Sequence, residues 1–584
     1  MSIRFSNYKL GAGVQTNAPA NVIGDNNCRD AQDLSYDFIG GVKSVKADAL
    51  VRTYSNTLWG IYPYRISNTT HLVGISGTGV YFDATQKKTI ATQDRFSFVE
   101  HNSALYCASA ANTLFKIASD QNVWNMGCPA PSGGCTPLTS SPDGEMNGQY
   151  RFRYTYVSQH NSVEGGIYQT EGNPSPYNIN LTDTTAASFV LTNIGMNVDP
   201  SYNVVAKRLY IYGGVSPKFA DYFRLYRRVN TDWVPEVNNN YDSSASIAVT
   251  QINHDGTDEL TALIQDNSLP PRGAYIINHF DHFCISGNPQ YNNRWYFAKV
   301  SSENIPTTNY IAEREEIMGM AEWNNSVWTP TKSKLYVKTG SSEENFFNQD
   351  TEVSDGCVAP YTLTGSPFGL LWMSYNGVVK YSGDKALEIL SQDIDNIFLA
   401  LPSAYYTNAV GCYFDYEYWI SVTETGHTEN NVTWVYNFRT NGWRKVPVGY
   451  KSFGKDDKAF KLYGSRLNLL YRINDSTTYK AWQYKTRNYD CTLVPYARAG
   501  TKFYPKLLHL DIDTNGEDVT VTPYYDEVAQ TTQTVSHTGR AIVTVRMPPG
   551  NCYQCAIMFS QGASSYQTTL YNYNLEGEDY IRGK

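Results

Sequence analysis

One short unit, an apolar strand, a tight turn and a second apolar strand, returns seven times along this chain. It begins at Leu72 (LVGISGTGVYF), Leu105 (LYCASAANTLFKI), Phe283, Leu335 (LYVKTGSSEENFF), Leu370 (LLWMSYNGVVKYSG), Trp419 and Phe460. Successive starts lie 33, 178, 52, 35, 49 and 41 residues apart. Excising residues 129–272 turns the outlying 178 into 34, so that stretch behaves as an insertion between two consecutive copies of one repeat. A period near roughly 40 residues is the spacing of β-propeller blades, each of about four strands. Seven hairpins predict six to eight blades.

Composition agrees with an all-β chain. Charged residues make up 17%, aromatics reach 14% with 47 tyrosines, and runs of helix formers are scarce. The formal net charge of −8 argues against broad electrostatic capture of nucleic acid or anionic membrane. No apolar stretch of the kind that marks a secretory signal follows Met1, and no run is long enough to span a bilayer, so folding in a cytoplasm is expected. In that compartment the ten scattered cysteines read as reduced core residues.

Turn-rich breaks at Cys128–Gly144 and Ser268–Gly273 bound the insertion. Inside it, Tyr150, Phe152, Tyr154 and Tyr156 alternate with Arg151, Arg153 and Thr155, and further strands are expected over Ala186–Thr192, Lys207–Tyr212 and Tyr222–Val229. That pattern is similar to a fibronectin type III or immunoglobulin-like sandwich. After about residue 488 a second sandwich is expected, with a hairpin at Asn515–Gly516. The predicted organisation is therefore 1–50 as an N-terminal docking arm, 51–128 and 273–487 as propeller, 129–272 as inserted sandwich and 488–584 as C-terminal sandwich. Helix is expected only in short pieces, over Asp258–Gln265 and over Ser391–Leu401, where Ser391 can cap and Ile394, Ile397, Phe398 and Leu401 form an apolar stripe.

No catalytic constellation emerges, and neither an enzyme nor a cofactor is expected. Gly74-Ile-Ser76-Gly-Thr78 lacks the second glycine of a nucleophile elbow and reads as a hairpin turn. His279 and His282 point to opposite faces of a strand, and Cys552-Tyr-Gln-Cys555 has no partner pair at zinc spacing. Asp511, Asp513 and Asn515 place oxygens at alternate positions before a glycine, a weak calcium candidate that fails at Thr522, where a bidentate Glu is needed. Arg224, Tyr226 and Arg228 put guanidinia and an aromatic ring on one strand face, a surface for a subunit or nucleic-acid contact.

The most specific stretch runs from Gly356-Cys357-Val-Ala359-Pro360, through Gly369-Leu-Leu-Trp372-Met-Ser374-Tyr-Asn-Gly377 to Gly383, and ends in Leu390–Phe398. With Asn293–Lys299, Lys334–Lys338, Trp434–Trp443 and the opening Asn27–Lys46, it resembles the tail nozzle or tail tubular proteins of short-tailed bacteriophages, also called packaged-DNA stabilisation proteins. The resemblance implies a structural virion protein, assembled in the cytoplasm of an infected bacterium as a ring, typically of six subunits. Portal or adaptor proteins would sit above it and tail tip or fibre proteins around it, with double-stranded DNA in the channel only in transit. The competing reading is a glycan-binding or glycan-cleaving propeller, a receptor-binding protein or depolymerase. A glycosidase needs two carboxylates roughly 5 to 9.5 Å apart.

Overall fold

The computed structural model describes residues 2–7, 9–37, 40–134, 136–140, 146–162, 166–176, 184–192, 198–214, 223–224, 226–229, 232–235, 246–249, 266–383, 387–491 and 501–580. The protein is all-β, with 51% strand and 4% helix, divided among many small sheets.

Among the described residues, seven antiparallel meanders of four strands follow one another. The first runs through Leu58–Ile66, Thr69–Ser76, Gly79–Phe82 and Thr85–Thr89, and the second from Ser97–His101 to Val123–Asn125. The third begins at Tyr275–His279, the fourth at Ala321–Trp323, the fifth at Thr364–Ser366 and the sixth at Val410–Phe414. The seventh has three strands of its own, Phe453–Asp456, Lys461–Arg466 and Leu469–Arg472, and takes its fourth, Ala49–Thr53, from the other end of the chain.

Burial explains why these strands stack. The second strands Ala104–Ala108 and Gly369–Ser374 are buried at every position, the signature of a sheet covered on both faces. Apolar clusters fill the gaps between successive meanders. Val73, Ile75 and Phe82 pack on Leu105, Phe115 and Ile117; Tyr106 on Phe283 and Ile285; Trp295 on Val327; and Leu335 and Val337 on Leu370 and Trp372. Beyond the fifth, Met373 and Val378 meet Tyr418 and Ile420, Trp419 and Val435 meet Tyr450 and Leu462, and Tyr463 and Leu470 meet Leu58 and Ile61. The last cluster joins the seventh meander to the first, so the series closes in a propeller-like ring.

The seven hairpins read from the sequence fall one to a meander. Six supply second and third strands, whereas the unit at Leu335 supplies the third and fourth strands of its meander.

Strands between 136 and 249 pair only with one another among the described residues. Thr136–Ser140 and Ser246–Val249 flank Thr184–Thr192, while Ile167–Glu171 and Val204–Gly214 flank the long Met146–Asn161. The two groups join where Met146 and Gly148 meet Ala187 and Thr184. The expected helix over Asp258–Gln265 lies outside the described residues.

Past the seventh meander, two further sheets share one core. One orders Leu34–Tyr36, Val42–Ser44, Thr569–Tyr580, Lys502–Asp513 and Ala541–Arg546, with Ser2–Asn7 also paired to Thr569–Tyr580. The other continues from the sixth meander through Cys28–Gln32, Trp482–Thr486, Gln554–Gln561 and Val519–Tyr525. Thus the opening residues, read from the sequence as an arm, are strands of this body. The Asn515–Gly516 turn also differs from expectation. Asn515 (φ 51°) and Gly516 (φ 84°) lead from Lys502–Asp513 in one sheet to Val519–Tyr525 in the other, so the turn switches sheets and makes no hairpin.

Around Ser391 the helix shrinks to Asp395–Phe398 behind a 3-10 turn at Gln392–Ile394. Ser391 does not cap it. Its Oγ instead accepts the Val378 N–H at 2.9 Å, while Ile394, Phe398 and Leu401 are buried as the stripe predicts.

Candidate interaction surfaces

The stretch Gly356–Gly383 locks the fourth meander to the fifth. Trp372 is fully buried and its indole N–H donates to the Gly356 carbonyl at 3.0 Å. Cys357 donates its backbone N–H to Thr331 O at 2.9 Å, and burial pushes its thiol pKa up to about 12, so it is an inert core group. Pro360 starts a 3-10 turn after Ala359, and the Thr362 hydroxyl at its end donates to Ala359 O and accepts the Met373 N–H. Ser374 Oγ donates to Asp355 at 3.0 Å and accepts the Asn376 N–H. Gly377 has φ 105°, and a Cβ there would lie 2.2 Å from Ser391 Oγ. Gly383 has φ 95° beside the Trp323 ring. Every singled-out residue of this motif therefore holds backbone or fills core.

The calcium candidates do not converge. Arg540 forks Asp511 through Nε at 2.8 Å and Nη2 at 2.6 Å, and Asn572 donates to the same carboxylate. Asp513 caps the turn by accepting the Asn515 N–H, and the Asn515 amide donates to Gln567 O. Among the described residues, no group of three or more His, Cys, Asp or Glu gathers as metal ligands do. His279 and His282 do not share a strand, as the spacing suggested, but stand opposite each other across the hairpin of Tyr275–His279 and His282–Ser286, so both rings pack on Phe346; His279 bonds Glu322 and His282 bonds Ala298 O. Ser76 Oγ is spent on the Asn56 backbone in a hairpin turn.

Arg224 pairs through its backbone with Tyr210, and Tyr226 and Arg228 lie in the neighbouring two-stranded ladder with Pro235 and Trp233. Their side chains lie outside the described residues.

Two polar constellations are absent from the sequence reading because their members are far apart in the chain. In the first, Lys116 of the second meander, Glu303 of the loop after the third strand of the third meander, and His160 of the intervening module meet almost without solvent exposure. Lys116 Nζ lies 2.5 Å from Glu303 Oε1 and 3.2 Å from His160 Nδ1, while Tyr106 OH and Gly127 N–H also donate to the carboxylate. Asn304 completes the clamp by bonding Cys128 through both backbone groups. Burial would push the Glu303 carboxyl up, but Lys116 and His160 outweigh it and hold it below the usual range. Burial and then the Lys116 charge lower the His160 pKa. Both shifts mean that the unfolded chain binds more protons than the folded one as acidity rises, so the clamp weakens as pH falls below about 6.5. The expected result is a lower melting temperature for the module's transition at pH 5 than at pH 7.5. His160→Gln should flatten that dependence, and Glu303→Ala, which strands Lys116 in the core, should cost about 3 to 5 kcal/mol.

The second constellation centres on Arg95. Its guanidinium donates to Lys451 O at 3.1 Å and Asn408 O at 2.9 Å, and lies over the rings of Trp59 (5.6 Å) and Tyr361 (5.1 Å). These residues stand in or just ahead of the first strands of the seventh, sixth, first and fifth meanders, and Arg95 itself precedes that of the second. One side chain can reach five meanders only near the middle of the ring, so Arg95 fills the axis at that end. Burial lowers its pKa from the ordinary guanidinium value.

No family model and no curated protein matches the chain. Among solved structures, it is similar to BBS1N from its complex with ARL6DN (8% identity, TM-score 0.25, 74% of this chain and 97% of that one). It is also similar to an exo-β-1,3-galactanase from Phanerochaete chrysosporium (10%, TM-score 0.20, 53% and 96%). A third is the extracellular domain of a putative hybrid two-component system from B. thetaiotaomicron (9%, TM-score 0.24, 93% and 98%). Likenesses at these scores carry nothing about function, and the reading below rests on this chain's own residues.

Proposed function

We propose that this protein is a non-enzymatic structural subunit of a short-tailed phage virion, one copy of a tail nozzle ring that retains and conducts genomic DNA. In this reading the seven meanders are the blades of a β-propeller, residues 129–272 an inserted fibronectin III-like sandwich, and the C-terminal sheets a sandwich into which the N-terminal strands are woven. The observation that carries it is the Gly356–Phe398 stretch. The residues that resemble the nozzle family there are spent on locking one meander to the next, as a rigid particle component requires, and none is left over for chemistry.

Arg95 adds a constraint on the channel. With the axis of the ring filled at one end, a duplex roughly 20 Å wide would run between copies of the chain, around a lumen they enclose together. Such a lumen must avoid tight phosphate contacts, because each one adds salt-dependent affinity that would hinder passage. A net charge of −8 suits that need.

Electron microscopy and native mass of the purified protein, or of its source particle, test the proposal. A closed ring with an axial hole is expected, with no measurable binding of double-stranded DNA at physiological salt. A strictly monomeric protein in mature particles, tight duplex binding, or glycan hydrolysis abolished by one carboxylate change would overturn it.

A further inference from the structure

A cleft of about 540 Å³ opens where the sixth and seventh meanders meet the N-terminal strand Val42–Ser44. Its floor holds Arg444, only 1% exposed. One arm of that guanidinium, Nη2, donates to Glu417 at 2.7 Å, but Nε and Nη1 find no acceptor among the described residues. The indole N–H of Trp419, stacked 4.9 Å beneath the same guanidinium, has no acceptor either. Three buried donors without an acceptor, at the base of a cavity, carry a desolvation cost that a bound anion would relieve.

The walls point the same way. Two of the cleft's carboxylates are already engaged, Asp37 by Lys43 at 2.9 Å and Asp475 by Lys461 at 2.7 Å. Lys46 and Arg439 stand exposed on the rim with no carboxylate bound to them among the described residues, against the single acid Asp415. The rim also carries Phe460, which is 61% exposed, with its ring centroid 5.2 Å from that of Phe414 and tilted to it by 44°. Phe460 sits at φ 55°, a left-handed backbone that bulky residues rarely adopt.

From this geometry we infer that the cleft is a binding site for a small carboxylate anion with a ring-shaped or apolar body, the acidic sugars being the class that fits. The carboxylate lies toward Arg444 and Trp419, where it accepts one of the unmet guanidinium N–H groups, and the body lies against Phe460. A carboxylate accepts a charge-assisted hydrogen bond from a guanidinium N–H, and a sugar ring offers a C–H face to an aromatic one. This site is independent of ring assembly and of DNA.

Calorimetric titration of the full-length protein with glucuronate tests the inference, with glucose and inorganic phosphate as controls. Glucuronate should bind with millimolar affinity or better, and at 10 times Kd should raise the melting temperature. Glucose, which lacks the carboxylate, and phosphate, which lacks the ring, should do neither. Lys46→Glu and Phe460→Asn change exposed side chains, the second by a residue at ease with φ 55°, so both variants should fold and weaken glucuronate at least 10-fold. Arg444→Gln should abolish binding. No binding of glucuronate, equal binding of glucose or phosphate, or undiminished binding by both exposed-site variants would overturn the inference.

Discussion

A chain lacking residues 1–57 is expected to lose cooperative unfolding altogether, while one lacking only 1–48 should keep the ring and lose the C-terminal sheets. The difference follows from what each segment builds. Ala49–Thr53 is the outer strand of the seventh meander, and Tyr54 belongs to the cluster that joins the seventh meander to the first. The residues before it bury Ile3, Leu10, Val14, Cys28, Ala31, Leu34, Tyr36 and Val42 in the core shared with the C-terminal strands. At about 1.5 to 3 kcal/mol for each large apolar side chain, that burial alone rivals the 5 to 15 kcal/mol by which a typical domain is stable. Asp48 adds a polar anchor, because Tyr450 OH, Lys480 and Arg466 all bind it. Calorimetry and circular dichroism of the two truncated chains give the answer. A soluble 58–584 chain melting within a few degrees of the full protein would show that the N-terminal stretch is an appendage.

That result also marks where sequence reading stops. The repeat was legible because fully buried second strands write continuous apolar runs, such as Ala104–Ala108 and Gly369–Ser374. The edges of the meanders were not. Four of the two-residue turns that open the meanders, Asn102–Ser103, Phe280–Asp281, Asn324–Asn325 and Asp415–Tyr416, are at positive φ in both positions and none has glycine, so the usual Asn-Gly marker is missing. The one Asn-Gly turn that looked like a hairpin, at 515–516, changes sheets. Pairings such as Ser2 with Glu578 and Gln32 with Gln483 leave no local trace, because strand partners hundreds of residues apart share no periodicity. The same holds for the candidate sites. The motif of 356–383 is contiguous and could be read, whereas Lys116, His160 and Glu303, or Arg444 and Phe460, converge only once the sheets are stacked.

Trp372→Ala is expected to destabilise the ring by about 3 to 5 kcal/mol, the range for removing a fully buried large aromatic side chain. Gly356→Ala should cost about 3 kcal/mol for the opposite reason, overpacking. A Cβ at 356 would lie 2.1 Å from the Thr331 carbonyl oxygen and 2.3 Å from the Lys332 carbonyl carbon, both backbone atoms that cannot swing aside. The two changes should not add. The Trp372 indole donates to the Gly356 carbonyl, so whichever change comes first already displaces the partner of the other. The double variant should therefore lose at least about 0.5 kcal/mol less than the two separate losses together, read from denaturant unfolding of the four proteins. Strict additivity would mean that the indole fills volume without fixing the backbone at 356. The lock between the fourth and fifth meanders would then rest on shape alone, and the proposal drawn from this contiguous motif would lose its physical basis.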